Sequence, residues 1–142
     1  MLERTVELVV AAPVAKVYEL WADLKNLPQW MQYVDRVSLD PVRLGYSQWR
    51  FGREPLFVEW TARITRKIPL RLVAWESVAG LANRGQIEFF PVAAGCRLRL
   101  TVAVAAPGGL VGAFIQQVGL GHWLDENLLA DLKRFARLVE HG

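Results

Sequence analysis

Cysteine, histidine and long apolar runs are all scarce in this chain. A single cysteine, Cys96, excludes an intramolecular disulfide framework. One cysteine and two histidines supply too few ligands for a usual four-coordinate zinc site, so no metal site is expected. The most apolar segment, residues 102–120, is broken by Pro107, Gly108, Gly109, Gln116 and Gln117. A spanning helix needs about 20 predominantly apolar residues, so none is expected. Glu3, Arg4 and Glu7 interrupt the first ten residues, which excludes a secretory signal there and points to the cytoplasm. Gly-x-Gly-x-x-Gly, a Walker lysine and Gly-x-Ser-x-Gly are all missing. Gly108-Gly109-Leu110-Val111-Gly112 fits a turn and a close helix–sheet contact better than a phosphate cradle. No cofactor is expected.

What is present is enough for a real core. Hydrophobic residues make up 53% of the 142 and charged residues only 22%, which excludes disorder. A chain of this length buries about 68% of its unfolded surface and suits one domain, 1–142. Charge is uneven: residues 1–35 carry a net −2, residues 36–100 a net +6 and residues 101–142 a net −1. The middle excess is almost all arginine. It reads first as the solvated face of an antiparallel sheet, and second as a patch for an acidic partner.

Periodicity orders the elements. Thr5–Val10 alternates as a strand. Pro13 then opens a helix over 14–22, with Val14, Val17, Tyr18 and Trp21 at helical spacing. Asp23 is placed to cap a second short helix around Pro28, which carries Leu27, Trp30 and Met31. The period becomes two from Tyr33 onward. Strands are expected at 34–39, 46–53, 57–67, 71–78, 86–90 and 97–104, separated by Gly45, Glu54-Pro55, Pro69, Gly80 and Ala94-Gly95. The helical period returns after Pro107-Gly108-Gly109 in a stripe of Phe114, Val118, Gly121, Asp125, Leu128, Leu132, Phe135 and Val139, with Gly119 and Gly121 as candidate kinks. The expectation is an α+β fold: a seven-stranded antiparallel meander, two short helices after its first strand, and a long C-terminal helix covering its apolar face.

The residues also resemble a known family. VELVVAAPVAKVYELWADLKNLPQWM is similar to the opening of the START-like, helix-grip superfamily. VAWESVAGLANRGQIEFFPVAAGCRLRLTVAVAAPGGLVG resembles the centre of its polyketide cyclase/dehydrase branch, which runs Trp-x-Ser, Asn-x-Gly-x-(Val)-x-Phe, Gly-Thr-Arg and Pro-x-Gly. ADLKRFARLVE is similar to its C-terminal Asp-Leu-x-Arg-Phe-Lys-x-Leu-(Val/Ile)-Glu. The resemblance covers nearly the whole chain in order. It implies a sheet curved around the long helix, with a cavity between them for an apolar ligand. Relatives in that superfamily include aromatic polyketide cyclases, ubiquinone-binding proteins, ribosome-associating toxins of the RatA type and lipid carriers, so the fold does not choose a function.

The candidate cavity residues are Trp30, Trp49, Phe51, Trp60, Ile64, Trp75, Phe89, Leu100, Phe114, Val118 and Leu128. Trp30 is expected near the mouth as a gate. The alternative for every tryptophan is plain core filling, since large aromatics carry much burial per residue. Polyketide cyclases resemble one another in a Trp-x-Ser-x-Arg strand. Trp60, Ala62 and Ile64 stand at those places here; the serine and arginine are missing, and Arg63 is one residue off, on the opposite face. No catalytic residue is therefore assigned. His122 and Asp125, three apart on the long helix, are the minor acid–base candidate. Glu59, Glu76, Glu88, Arg97 and Arg99 read as outward, Asn83-Arg84-Gly85 as a turn leading into a strand with a polar contact to ligand as the minor reading, and Cys96 as structural. The expected function is binding or carriage of a quinone, an aromatic polyketide or a lipid. The alternatives are a cyclase/dehydratase and a ribosome- or RNA-associated module. The expected partner is an apolar small molecule, with transient membrane contact in addition and nucleic acid disfavoured.

Overall fold

In a computed structural model, residues 1–105 and 119–142 are described. Seven strands form one antiparallel sheet: β1 Leu2–Val10, β2 Val34–Leu39, β3 Tyr46–Arg53, β4 Leu56–Ile68, β5 Leu72–Gly80, β6 Asn83–Val92 and β7 Gly95–Val104. Their order is β1-β7-β6-β5-β4-β3-β2, so β2 to β7 run as a meander and β1 closes on β7. Helix α1 spans Val14–Ala22, a 3-10 helix spans Leu24–Gln29, and helix α2 spans Gly121–His141.

Alternation sets which face of the sheet is buried. Ile87, Phe89, Leu98 and Leu100 point inward and are at most 2% exposed. The outer face of the sheet carries cross-strand ion pairs: Glu7 with Arg99 at 3.2 Å, Arg99 with Glu88 at 3.8 Å, and Arg63 with Glu76 at 2.8 Å. Strand β4 departs from simple alternation. Its register to β5 shifts at Thr61/Ala62 and again at Ile64/Arg66. Each bulge bends a strand and adds twist, which curls a sheet.

The inner face is covered in two halves. Helix α1 buries Val17 and Trp21, and the 3-10 helix buries Leu24 and Leu27. These cover the half holding the start of β3 and the end of β6, where Tyr18 meets Phe89 edge-on at 5.2 Å. Helix α2 buries Leu124, Leu128, Leu132, Phe135 and Val139 along one stripe. It is latched at three points. Ala11 N–H donates to Glu140 Oε2 at 2.8 Å, Gln32 N–H to Asp131 Oδ1 at 3.1 Å, and Arg134 Nε to the Trp30 carbonyl at 2.9 Å.

Several boundaries differ from the sequence expectation for physical reasons. β1 and β6 start three residues early because ladder pairing continues past the apolar alternation, at Leu2↔Val104 and Asn83↔Val104. Asp23 makes no side-chain cap; its carbonyl accepts Asn26 N–H at 3.0 Å, and its carboxylate lies 3.5 Å from Lys25. Asp125 is not part of the buried stripe, because its carboxylate turns to Arg4 at 3.7 Å. The expected glycine turn at 108–112 lies outside the described residues, as do Phe114 and Val118.

Candidate functional site

The other half of the inner face, at the ends where β3 leads into β4 and β5 into β6, is not filled. A cavity of about 150 Å³ lies there between the sheet and the N-terminal half of α2. The sheet supplies Trp49, Phe51, Trp60, Trp75, Asn83, Arg84, Val102 and Val104. Helix α2 supplies Trp123, Leu124, Asn127, Leu128 and Asp131, and Met31, Tyr33 and Val34 close the side.

Three strands build one aromatic wall. Trp49 and Trp60 are cross-strand partners on β3 and β4. Their rings stack at 5.6 Å and 22°, and Trp49 stacks on Trp75 of β5 at 5.9 Å and 22°. Gly85 on β6 makes room for this stack. A Cβ there would lie 2.7 Å from the Trp75 ring, well inside van der Waals contact. At the rim Tyr33 meets Trp123 at 5.2 Å and Phe51 at 6.0 Å, and all three are half-buried.

A few polar atoms interrupt the apolar lining. Trp49 Nε1 donates to the buried Ser47 hydroxyl at 2.8 Å. Trp60 Nε1 is buried and has no acceptor among the described residues. The same holds for Trp21 and Trp30, but those rings pack on each other and on Phe135 at 4.8–5.3 Å, away from the cavity. Asn83 Nδ2 donates to the Leu81 carbonyl and Asn127 Nδ2 to the Trp123 carbonyl, both at 2.8 Å. Each bond fixes its amide with the nitrogen turned to the backbone, leaving the amide oxygen as the second polar end. Asp131 is 4% exposed. Burial raises its pKa above the ordinary carboxylate value, and the bonds from Gln32 N–H and the Arg134 guanidinium oppose that rise.

Five of the eleven candidate cavity residues line this space: Trp49, Phe51, Trp60, Trp75 and Leu128. Four stand elsewhere. Trp30, expected at the mouth, is 1% exposed and sits in the solid core with Trp21 and Phe135. Phe89 packs under α1, Leu100 is fully buried core, and Ile64 faces a groove beside α1. Ile64, Phe89 and Leu100 lie on strands, where position along the strand decides whether α1 or the cavity stands above, while Trp30 follows the 3-10 helix. Tyr33, Trp123, Asn127 and Asp131 were not singled out for the cavity. Trp123, Asn127 and Asp131 follow helical spacing with Leu124 and Leu128, a signal available in the sequence. His122 and Asp125 do not come together: His122 Nε2 lies 3.0 Å from Glu126 and Asp125 faces Arg4. Arg63 is on the outer face with Glu76, and Ala62 is fully buried.

The family model for polyketide cyclase/dehydrase and lipid transport matches residues 10–133. The chain belongs to this family. Its helix-grip fold is shared by a Thermus thermophilus protein, TTHA0849, with a TM-score of 0.83 at 21% identity, covering 98% of this chain and 97% of that one. The Zhui aromatase/cyclase of a Streptomyces species is similar with a TM-score of 0.73 at 24% identity, covering 97% and 92%. An uncharacterized 17.2 kDa protein of Streptomyces lincolnensis is 31% identical over 81 residues, 57% of this chain and 53% of that protein. The match thus spans about half the length of that relative. The seven-stranded curled sheet and the C-terminal helix expected from the sequence are the family's architecture. No helix among the described residues is long and apolar enough to cross a membrane.

Proposed function

We propose that this family member binds a hydrophobic, carbonyl-bearing ring compound in the cavity between sheet and α2, without transforming it. The observation that carries this reading is Trp60, whose ring lines the cavity and whose buried N–H has no acceptor among the described residues. An unmade hydrogen bond at a buried donor costs about 1–3 kcal/mol, which a ligand oxygen would recover. The stacked Trp49, Trp60 and Trp75 rings offer a flat wall to a planar partner. Among quinones, aromatic polyketides and lipids, this chemistry favours the first two over a hydrocarbon tail.

Binding alone is supported by what stands at the cyclase-like positions. Arg63 is spent on Glu76 outside the sheet, and Arg84, the arginine that borders the cavity among the described residues, is paired with Glu3 at 3.1 Å, so neither is free to polarise a bound carbonyl. The cavity's volume also sets the probe. An apolar void of about 150 Å³ holds a benzene-sized molecule. Acetophenone and ethylbenzene match in size and differ by one carbonyl. Calorimetric titration should show acetophenone binding roughly 2- to 10-fold tighter, the worth of one net hydrogen bond, and Trp60→Phe should erase that preference. Equal affinity for the two probes, or a preference that survives Trp60→Phe, would overturn the assignment. Conversion of a supplied poly-β-ketone would replace binding with cyclisation.

A further inference from the structure

The strand ends farthest from the cavity carry a second surface. The β2–β3 turn (residues 40–45) and the β4–β5 turn (residues 69–71) flank an open groove of about 670 Å³ beside α1, lined in part by Leu39, Leu44, Lys67 and Leu70. Val42 and Leu44 are 84% and 95% exposed. Their turn is nonetheless built: Asp40 Oδ1 accepts the Val42 N–H at 2.9 Å and the Arg43 N–H at 3.0 Å.

The second turn is less usual. Pro69-Leu70 is closed by the Arg71 N–H on the Ile68 carbonyl at 2.9 Å, with Leu70 at φ +65°. A turn with proline first and a positive φ second asks for glycine at that second place. The chain holds a leucine there against its steric preference, 46% exposed at the tip of a hairpin.

Most arginines of the sheet are paired; Arg36 and Arg53, away from this end, are exceptions among the described residues, and Arg53 lies over the Tyr33 ring. Arg43, Arg50, Arg63, Arg84, Arg97 and Arg99 each have a carboxylate within 4 Å. Arg66, Lys67 and Arg71, around the β4–β5 turn, have none among the described residues. Of the acids lining the groove, Asp40 and Asp23 are already engaged with Arg43 and Lys25, leaving Glu19. The surplus at this end is positive, and it surrounds exposed apolar side chains.

We propose that this end of the molecule docks on an anionic lipid bilayer. Val42, Leu44 and Leu70 enter the interfacial region, and Arg66, Lys67 and Arg71 lie against the headgroups. A second copy of the chain is the poorer occupant, because a two-fold contact would bring the same net-positive patch of both copies together. Docked this way, the cavity faces away from the bilayer, so the surface anchors the protein rather than feeding the cavity.

The test is co-sedimentation with vesicles of 1:1 phosphatidylglycerol and phosphatidylcholine, against phosphatidylcholine alone, at low and physiological salt. Binding should require the anionic lipid and weaken with salt. Lys67→Glu with Arg71→Glu should lower partitioning by at least about 25-fold, at roughly 5-fold for each lost cation. Leu70→Gly separates docking from folding: it should lower partitioning several-fold while leaving the urea midpoint unchanged or higher, since glycine suits the turn. Equal partitioning onto neutral vesicles, or full binding by Leu70→Gly and the charge-reversed variant alike, would overturn the proposal. So would a dimer in light scattering that Leu44→Ser splits, because the patch would then be covered by a second copy.

Discussion

One methyl group at Gly85 should disturb the whole tryptophan wall. Gly85 lies opposite Trp75 in the β5–β6 ladder. A Cβ built there falls 2.7 Å from Cζ2, 2.8 Å from Cε2 and 3.1 Å from Nε1 of that ring. Carbon atoms in contact sit about 3.5–4.0 Å apart, so the ring must retreat by about 0.8 Å or more. It cannot do so freely, because its other face stacks on Trp49, which stacks on Trp60. Overpacking of this kind costs about 1–3 kcal/mol. Alanine returns about 0.5–1 kcal/mol through its lower backbone entropy in a strand. The expected net for Gly85→Ala is therefore a loss of about 0–2.5 kcal/mol, read as a lower urea midpoint at unchanged slope. Near-ultraviolet circular dichroism should change with it, as the stacked indoles shift. Trp75→Phe shortens the ring, so in the double variant the costs should fall short of additivity by about 0.5 kcal/mol or more. A Gly85→Ala protein as stable as the parent with an unchanged aromatic spectrum would refute this account of the wall.

Two further outcomes follow from the same geometry. Asp131 has a folded-state pKa above its ordinary value of 3.8, so the native state binds a proton more tightly than the unfolded chain. Its contribution to stability is then greatest in acid and falls as pH rises from the unfolded value through the folded one. Asp131→Asn, which keeps an acceptor for Gln32 N–H, should flatten that part of the stability–pH profile in urea titrations; an unchanged slope would contradict it. Trp30→Phe should lower the urea midpoint while leaving acetophenone affinity within about twofold, since Trp30 packs on Trp21 and Phe135 away from the cavity; a larger loss of affinity would restore it as a gate.

The architecture was legible because period, turn residues and family motifs agreed. The alternation in Leu98, Leu100 and Val102 set the inner face of β7, and Gly80 and Gly95 sit where the chain takes φ of +83° and +141°. The inner face of the candidate site was legible for the same reason. Alternation gives the face of a strand but not what stands over each position. Trp60 and Ile64 share a strand and a face, yet one meets the cavity and the other a groove beside α1. That difference comes from where α1 and α2 cross the sheet, which latches such as Arg134 on the Trp30 carbonyl determine across 104 residues. The arginine excess was visible in the sequence, but its pairing was not: cross-strand register, which brings Arg99 to Glu7 and Glu88, neutralises most of it. Of what register leaves over, Arg66, Lys67 and Arg71 collect around the β4–β5 turn, while Arg36 and Arg53 stand elsewhere on the sheet.

The central claim, a ligand held in the tryptophan-walled cavity, is tested most directly by nuclear magnetic resonance on the six indole N–H groups during an acetophenone titration. Trp49, Trp60, Trp75 and Trp123 border the cavity, while Trp21 and Trp30 lie in the solid core. The cavity indoles should move with saturation, Trp60 furthest and downfield as its N–H gains an acceptor, while Trp21 and Trp30 stay in place. Six indoles that remain still at saturating probe, or that all move alike, would contradict it.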